Sequence, residues 1–125
     1  MKPIKLTVSA FGPYSGKTEI DFEILGECGI YLITGDTGAG KTTIFDGICY
    51  ALFGKASGDN RTSDMIRSDF ANNNTPTYAE LVFSHKGETY TVRRNPSYKR
   101  KKKNSEGETT ENANATLETK NYTCA

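Results

Sequence analysis

The sequence predicts an α/β fold in which a mixed sheet carries a strand, a phosphate-binding loop and a helix in succession, with an antiparallel β-hairpin further along. Three observations predict it. The stretch Gly35-Asp36-Thr37-Gly38-Ala39-Gly40-Lys41-Thr42 satisfies every fixed position of the pattern GxxxxGK[ST]. Before it, Ile30-Tyr31-Leu32-Ile33-Thr34 is a continuous apolar run whose length and β-branched content read as a strand buried on both faces. After it, apolar residues recur at Ile44, Phe45, Ile48, Cys49 and Leu52, the rhythm of one helix face, until Gly54 supplies a stop. The bland alternative is a Gly-rich turn feeding an ordinary helix, and the flanking elements argue against it.

Taken in order, the chain begins with Ile4, Leu6 and Val8 alternating with Lys5, Thr7 and Ser9. After a break at Phe11-Gly12-Pro13-Tyr14-Ser15-Gly16, Thr18, Ile20 and Phe22 alternate with Glu19, Asp21 and Glu23, so two half-buried strands joined by a loop are expected. Gly26-Glu27-Cys28-Gly29 turns the chain into the apolar run, and a helix is predicted from Thr42 to Phe53. From Gly54 to Asn74 the polar composition predicts a loop with one short helix around Met65, Ile66 and Phe70. Arg61 and Arg67 lie in it and read as solvated surface residues, the alternative being arginines folded back toward nucleotide or DNA. Tyr78 to Ser84 and Thr89 to Arg94 flank Lys86-Gly87 as a hairpin. Asn104 to Asn114 suits a mobile loop, and Thr116 to Asn121 alternates weakly as a strand. An antiparallel pair followed by strand, loop and helix is the order of ATPase heads of the ABC type. By analogy with those heads, the expected fold is the N-terminal half of an ABC-type P-loop ATPase head, with residues 1–125 one incomplete lobe and 99–114 a basic and polar loop within it.

The motif's chemistry follows from its spacing. Gly35, Gly38 and Gly40 let the backbone take positive φ and approach a ligand closely, so that successive N–H groups form an anion nest at the positive end of the helix dipole. Lys41, the catalytic candidate, brings an ammonium to the β- and γ-phosphates, and the Thr42 hydroxyl is the candidate ligand for Mg²⁺. Gly35, Asp36, Thr37, Gly38, Ala39, Gly40, Lys41, Thr42 and Thr43 are the candidate residues for binding ATP. A second acidic motif, four apolar residues followed by Asp, is missing: Ile20-Asp21 and Phe45-Asp46 lack the apolar approach, and Leu81-Val82-Phe83 runs into Ser84. No Ser-Gly-Gly element is present either. The chain carries the front half of a site, and hydrolysis of ATP by this chain alone is not expected.

The composition, 35% hydrophobic and 25% charged, describes a soluble globular domain or part of one, with no apolar run of membrane length. The first residues show no secretory pattern, so a cytoplasmic protein is expected. Cys28, Cys49 and Cys124 lack zinc or redox spacing and read as free thiols, Cys49 as a small core residue, and His85 reads as a solvated hairpin-end residue. The net charge of +1 hides an asymmetry: Arg93, Arg94, Lys99, Arg100, Lys101, Lys102 and Lys103 are seven of the 16 basic residues, with no acid among positions 93 to 103, leaving nine basic against 15 acidic elsewhere. Two readings stand for this cluster. It can neutralise DNA phosphates without sequence preference, or it can be a solvated edge that discourages strand aggregation.

The run from Ile33 to Gly54 resembles the opening of the SbcC family of SMC-like ATPases. Lys2-Pro3-Ile4-Lys5-Leu6, Ala10-Phe11-Gly12-Pro13-Tyr14, Met65-Ile66-Arg67-Ser68-Asp69-Phe70 and Val92-Arg93-Arg94-Asn95-Pro96 resemble the same family, and together they cover the chain to about Leu117. The resemblance implies a head assembled from the two ends of a long chain separated by a coiled coil with a zinc hook. It also implies an ATP-dependent pairing of two copies of the head, an SbcD-like nuclease subunit as partner, and double-stranded DNA ends as substrate in repair and recombination. By it, Lys41 and Thr42 hold phosphate and Mg²⁺. The absence of heptads, hook, signature element and second acidic motif up to Ala125 leads to the expectation of a fragment or a truncated reading frame. Two further readings are a non-catalytic nucleic-acid-binding module and the head of another P-loop ATPase, RecF-like or of a transporter.

Overall fold

The computed structural model describes residues 1–27, 30, 32–36, 40–55, 66–120 and 122–124. Strands β1 (Lys2–Phe11) and β2 (Tyr14–Asp21) form the first hairpin, followed by a 3-10 turn at Phe22–Leu25 and helix α1 (Lys41–Phe53). Strands β3 (Tyr78–His85) and β4 (Glu88–Asn95) form the second hairpin. The chain closes with β5 (Tyr98–Lys101), β6 (Glu108–Glu111), β7 (Asn114–Thr119) and β8 (Tyr122–Cys124). Six strands make one sheet in the order β2-β1-β3-β4-β7-β8, every neighbouring pair antiparallel, and β5 and β6 form a separate ribbon.

The alternation in the first strand becomes a packing pattern. Leu6 and Val8 enter the core under α1, joined by Phe11, Phe22, Tyr50, Ala51, Ile66, Ala79, Leu81 and Val92. Because β1 lies between β2 and β3, Thr7 and Ser9 on its opposite face are buried too, and the Ser9 hydroxyl donates to the Pro76 carbonyl at 2.7 Å. The Lys86-Gly87 hairpin forms as predicted, with positive φ at both residues and pairing from His85↔Glu88 to Ala79↔Arg94. His85 is exposed at its end, Cys49 and Cys124 are free thiols, and Cys28 lies outside the described residues.

At the end of β1 the register slips around Ala10, which takes φ 46°, and a new set of partners begins. The Ala10 carbonyl accepts from the Ser68 amide at 2.7 Å and from the Thr77 hydroxyl at 3.3 Å, Phe11 bridges Arg67, and the Gly12 amide donates to the Ile66 carbonyl at 2.9 Å. These bonds satisfy backbone groups that the sheet ladder releases there. They fix the described stretch 66–77 as an irregular loop stitched to β1, where the sequence predicts a short helix; Met65 and Arg61 lie outside the described residues.

Three expectations need correction. Ile30, Leu32, Ile33 and Thr34 belong to no strand, and Ile30 and Leu32 are 88% and 87% exposed. A strand buried on both faces needs hydrogen-bonded neighbours, and none of the described strands pairs with this segment. The helix also seats differently: Thr43, Asp46, Gly47, Tyr50 and Ala51 are buried, Ile44, Ile48 and Leu52 lie on the flank, Cys49 is half-buried, and Phe45 is 60% exposed. The helix approaches the sheet on its smallest residue, for a Cβ on Gly47 would lie 3.0 Å from Val8 Cγ1 and 3.3 Å from Leu6 Cδ2. Finally, part of the stretch expected as a mobile loop is strand, because β6 pairs with β5 from Tyr98↔Glu111 to Lys101↔Glu108.

Candidate nucleotide-binding site

The phosphate-binding motif ends where α1 begins. Gly40 is the N-cap, buried and left-handed at φ 91°, with no side-chain cap and no acidic residue in the first helical turn. The helix's first amides are therefore left without the side-chain acceptor that commonly satisfies them. Lys41 extends back across the motif, its ammonium donating to the Gly35 carbonyl, so the two ends of the loop are joined through the candidate catalytic side chain. Thr42 is exposed, Thr43 is buried against the β1–β2 turn, and Gly35 and Asp36 are exposed. Thr37, Gly38 and Ala39 lie outside the described residues.

The turn between β1 and β2 supplies a contact that motif spacing did not assign. The Tyr14 hydroxyl donates to the Gly40 carbonyl at 3.0 Å. Its ring lies so close that a Cβ on Gly40 would be 2.6 Å from Tyr14 Oη and 2.8 Å from Cζ. In the same turn Gly12, at φ 56°, leaves no room beside Thr43, whose Cγ2 would lie 2.9 Å from an added Cβ. The only hint in the sequence is an aromatic hydroxyl following Gly-Pro in a loop between strands.

The basic cluster divides by geometry. Arg93 lies over the Tyr78 ring, 3.7 Å from its centroid, and faces Glu80 at 3.8 Å. Arg94 points to the helix, where Nε donates to the Ala51 carbonyl at 3.3 Å beside Gly54 and sets a cation at the negative end of the helix dipole. Arg100 pairs with Glu111 at 2.7 Å across the ribbon. Lys99, Lys101, Lys102 and Lys103 are exposed, without an ion-pair partner among the described residues. Arg67 is a structural clamp, not a solvated surface arginine: it donates to the Thr75 carbonyl at 2.7 Å, the Thr77 hydroxyl at 2.6 Å and the Asn72 carbonyl at 2.9 Å, and lies 4.8 Å from the Tyr98 ring centroid. Arg67, Ser68, Asn73, Ser97, Tyr98 and Lys99 help line a cleft of about 510 Å³ between this loop and the ribbon.

Residues 5–123 match the AAA domain family. The chain belongs to that family. Among curated proteins it is similar to the SbcC component of the SbcCD nuclease of Vibrio cholerae, 44% identical over 117 residues that make up 94% of this chain and 12% of that protein. It is similar to the component of the same name in Lactococcus lactis, 43% identical over 94% of this chain and 11% of the relative, and in Staphylococcus haemolyticus, 41% identical over 78% and 10%. The chain thus spans about a tenth of the length of the curated relatives it matches. No described helix is long and apolar enough to cross a membrane.

The described part of the motif fits a phosphate group. Helix amides that the Gly40 N-cap leaves without a side-chain acceptor and the Lys41 ammonium, beside Gly35, are donors of the kind a phosphate requires.

Proposed function

We propose that the chain is the ATP-binding N-terminal part of the head of an SbcC-like ATPase, a subunit that acts with an SbcD-like nuclease on double-stranded DNA ends in repair and recombination in the cytoplasm. The observation that carries this reading is the Lys41 ammonium reaching back to Gly35 from an uncapped helix N-terminus, inside a GxxxxGKT motif. The relatives, each named as part of a nuclease, support a DNA-processing head over a transporter head.

In this reading residues 35–43 would hold the triphosphate through backbone N–H groups, Lys41 would neutralise the β- and γ-phosphates, and the exposed Thr42 hydroxyl would be the ligand for Mg²⁺. Bound Mg²⁺ supplies charge neutralisation on the transferring phosphoryl group. The lobe's part is to bind and orient; the residue that positions the attacking water, and the second copy of the head that ATP clamps against this one, belong to the proposed complete assembly. DNA phosphates would meet the ribbon lysines, Lys99, Lys101, Lys102 and Lys103, because the cluster's arginines Arg93, Arg94 and Arg100 are engaged within the fold. Titration of the full-length protein with Mg-ATP is expected to show binding that Lys41→Ala removes, and equal binding by that variant would overturn the reading.

A further inference from the structure

We propose that Tyr14 is a positioning residue for the phosphate loop, its hydroxyl fixing the orientation of the Gly40–Lys41 peptide so that the Lys41 N–H faces the phosphate. The inference rests on the nucleotide-binding reading of the motif and adds a residue outside it.

One hydrogen bond and the rigidity of a peptide unit carry it. The Tyr14 hydroxyl donates to the Gly40 carbonyl at 3.0 Å. A trans peptide is planar, with its C=O and N–H on opposite sides, and no cis peptide occurs among the described residues. Holding the Gly40 carbonyl toward Tyr14 therefore points the Lys41 amide the other way. That amide is the first of α1, and its glycine N-cap offers it no side-chain acceptor. Glycine at φ 91° can turn its peptide over at little steric cost, so an external anchor is what selects one orientation.

The anchor is itself held. Gly12, two residues earlier, donates its amide to the Ile66 carbonyl at 2.9 Å, and Phe11 pairs with Arg67. The same turn covers Thr43. Among the described loop residues Tyr14 meets Gly40, and through its backbone, so its effect should fall on every ligand that uses the phosphate cradle, whatever base it carries.

The test compares Tyr14→Phe, which keeps the ring and removes the hydroxyl, with the unsubstituted full-length protein, by calorimetric titration with Mg-ATP, Mg-ADP and inorganic tripolyphosphate. The expected result is an equal weakening for all three, about three- to tenfold, the range of one net hydrogen bond, with the variant still fully folded at the titration temperature by circular dichroism. Unchanged affinities overturn the inference, as does a loss confined to the two nucleotides, which would place the hydroxyl on the nucleoside. A loss that appears only at temperatures where the variant has begun to unfold overturns it in favour of a purely structural role. Lys41→Ala in the same assay separates the two levels. Binding lost there but intact in Tyr14→Phe removes only the inference, whereas no Mg-ATP binding by the unsubstituted protein removes the nucleotide reading and the inference with it.

Discussion

Replacing Gly40 by alanine should destabilise the chain through two separable costs. An L-residue at φ 91° costs about 1–2 kcal/mol in backbone strain. The new Cβ would stand 2.6 Å from Tyr14 Oη, 2.8 Å from Cζ and 3.2 Å from Cε1, so the ring must leave. Displacing it forfeits the 3.0 Å hydrogen bond and well-matched packing, together about 2 kcal/mol. In a Tyr14→Ala background the ring is already gone, and Gly40→Ala should cost only the backbone part. The reduced freedom of alanine in the unfolded chain offsets some of the cost in both backgrounds and cancels in the difference. A double-mutant cycle by urea denaturation of the 125-residue chain, followed by far-UV circular dichroism, should return a coupling of about 2 kcal/mol. Additivity within about 0.5 kcal/mol would refute the claim that ring and loop are in register.

Arg67→Met removes three hydrogen bonds of 2.6–2.9 Å and the stacking on Tyr98, which should cost about 2–4 kcal/mol and speed chymotryptic cleavage after the exposed Phe70; an unchanged cleavage rate would count against the clamp. Burial pushes the Tyr50 hydroxyl up to about 12 from 10.0, against a smaller opposing effect of Arg94. The folded-state value is raised, so the stabilisation is complete below pH 10 and is lost between pH 10 and 12, where the unfolded chain ionises first; up to about 2 kcal/mol is involved. Tyr50→Phe should flatten that limb of the stability curve, and an equally steep decline in the variant would contradict it. Changing Lys99, Lys101, Lys102 and Lys103 together to glutamine should weaken DNA binding by the full-length protein and reduce its logarithmic salt slope by up to about 3–4; an unchanged slope would exclude the ribbon.

Much of the fold was legible because its signals are local. Leu6 and Val8 alternate with polar residues, Lys86-Gly87 tolerates the positive φ a tight hairpin demands, and GxxxxGKT sits at a helix start. The misreadings concern partners distant in sequence. The helix has two adjacent apolar arcs, and only the closeness of Gly47 to Leu6 and Val8 decides which faces the sheet. Ile30 to Thr34 has the composition of an interior strand, yet strand formation depends on a neighbour that composition does not name. The ribbon was hidden because its residues, lysine, arginine, threonine and glutamate, show no apolar alternation, and Arg100 opposite Glu111 becomes a pair only after folding. Within the candidate site, Lys41 was plain from the motif, whereas Tyr14 is separated from Gly40 by 26 residues.

Arg94 gives the helix a second point of attachment. Tyr14 holds the N-cap residue Gly40 and Arg94 the last turn of α1, so a slide of the helix along its axis would break both bonds. It works as a strut whose far bearing is β4, and β4 passes through Asn95 and Pro96 directly into the lysine-bearing ribbon. The place of the helix along the sheet is thus set three times over, by a hydrogen bond near each end and, midway, by the close approach of Gly47 to Leu6 and Val8.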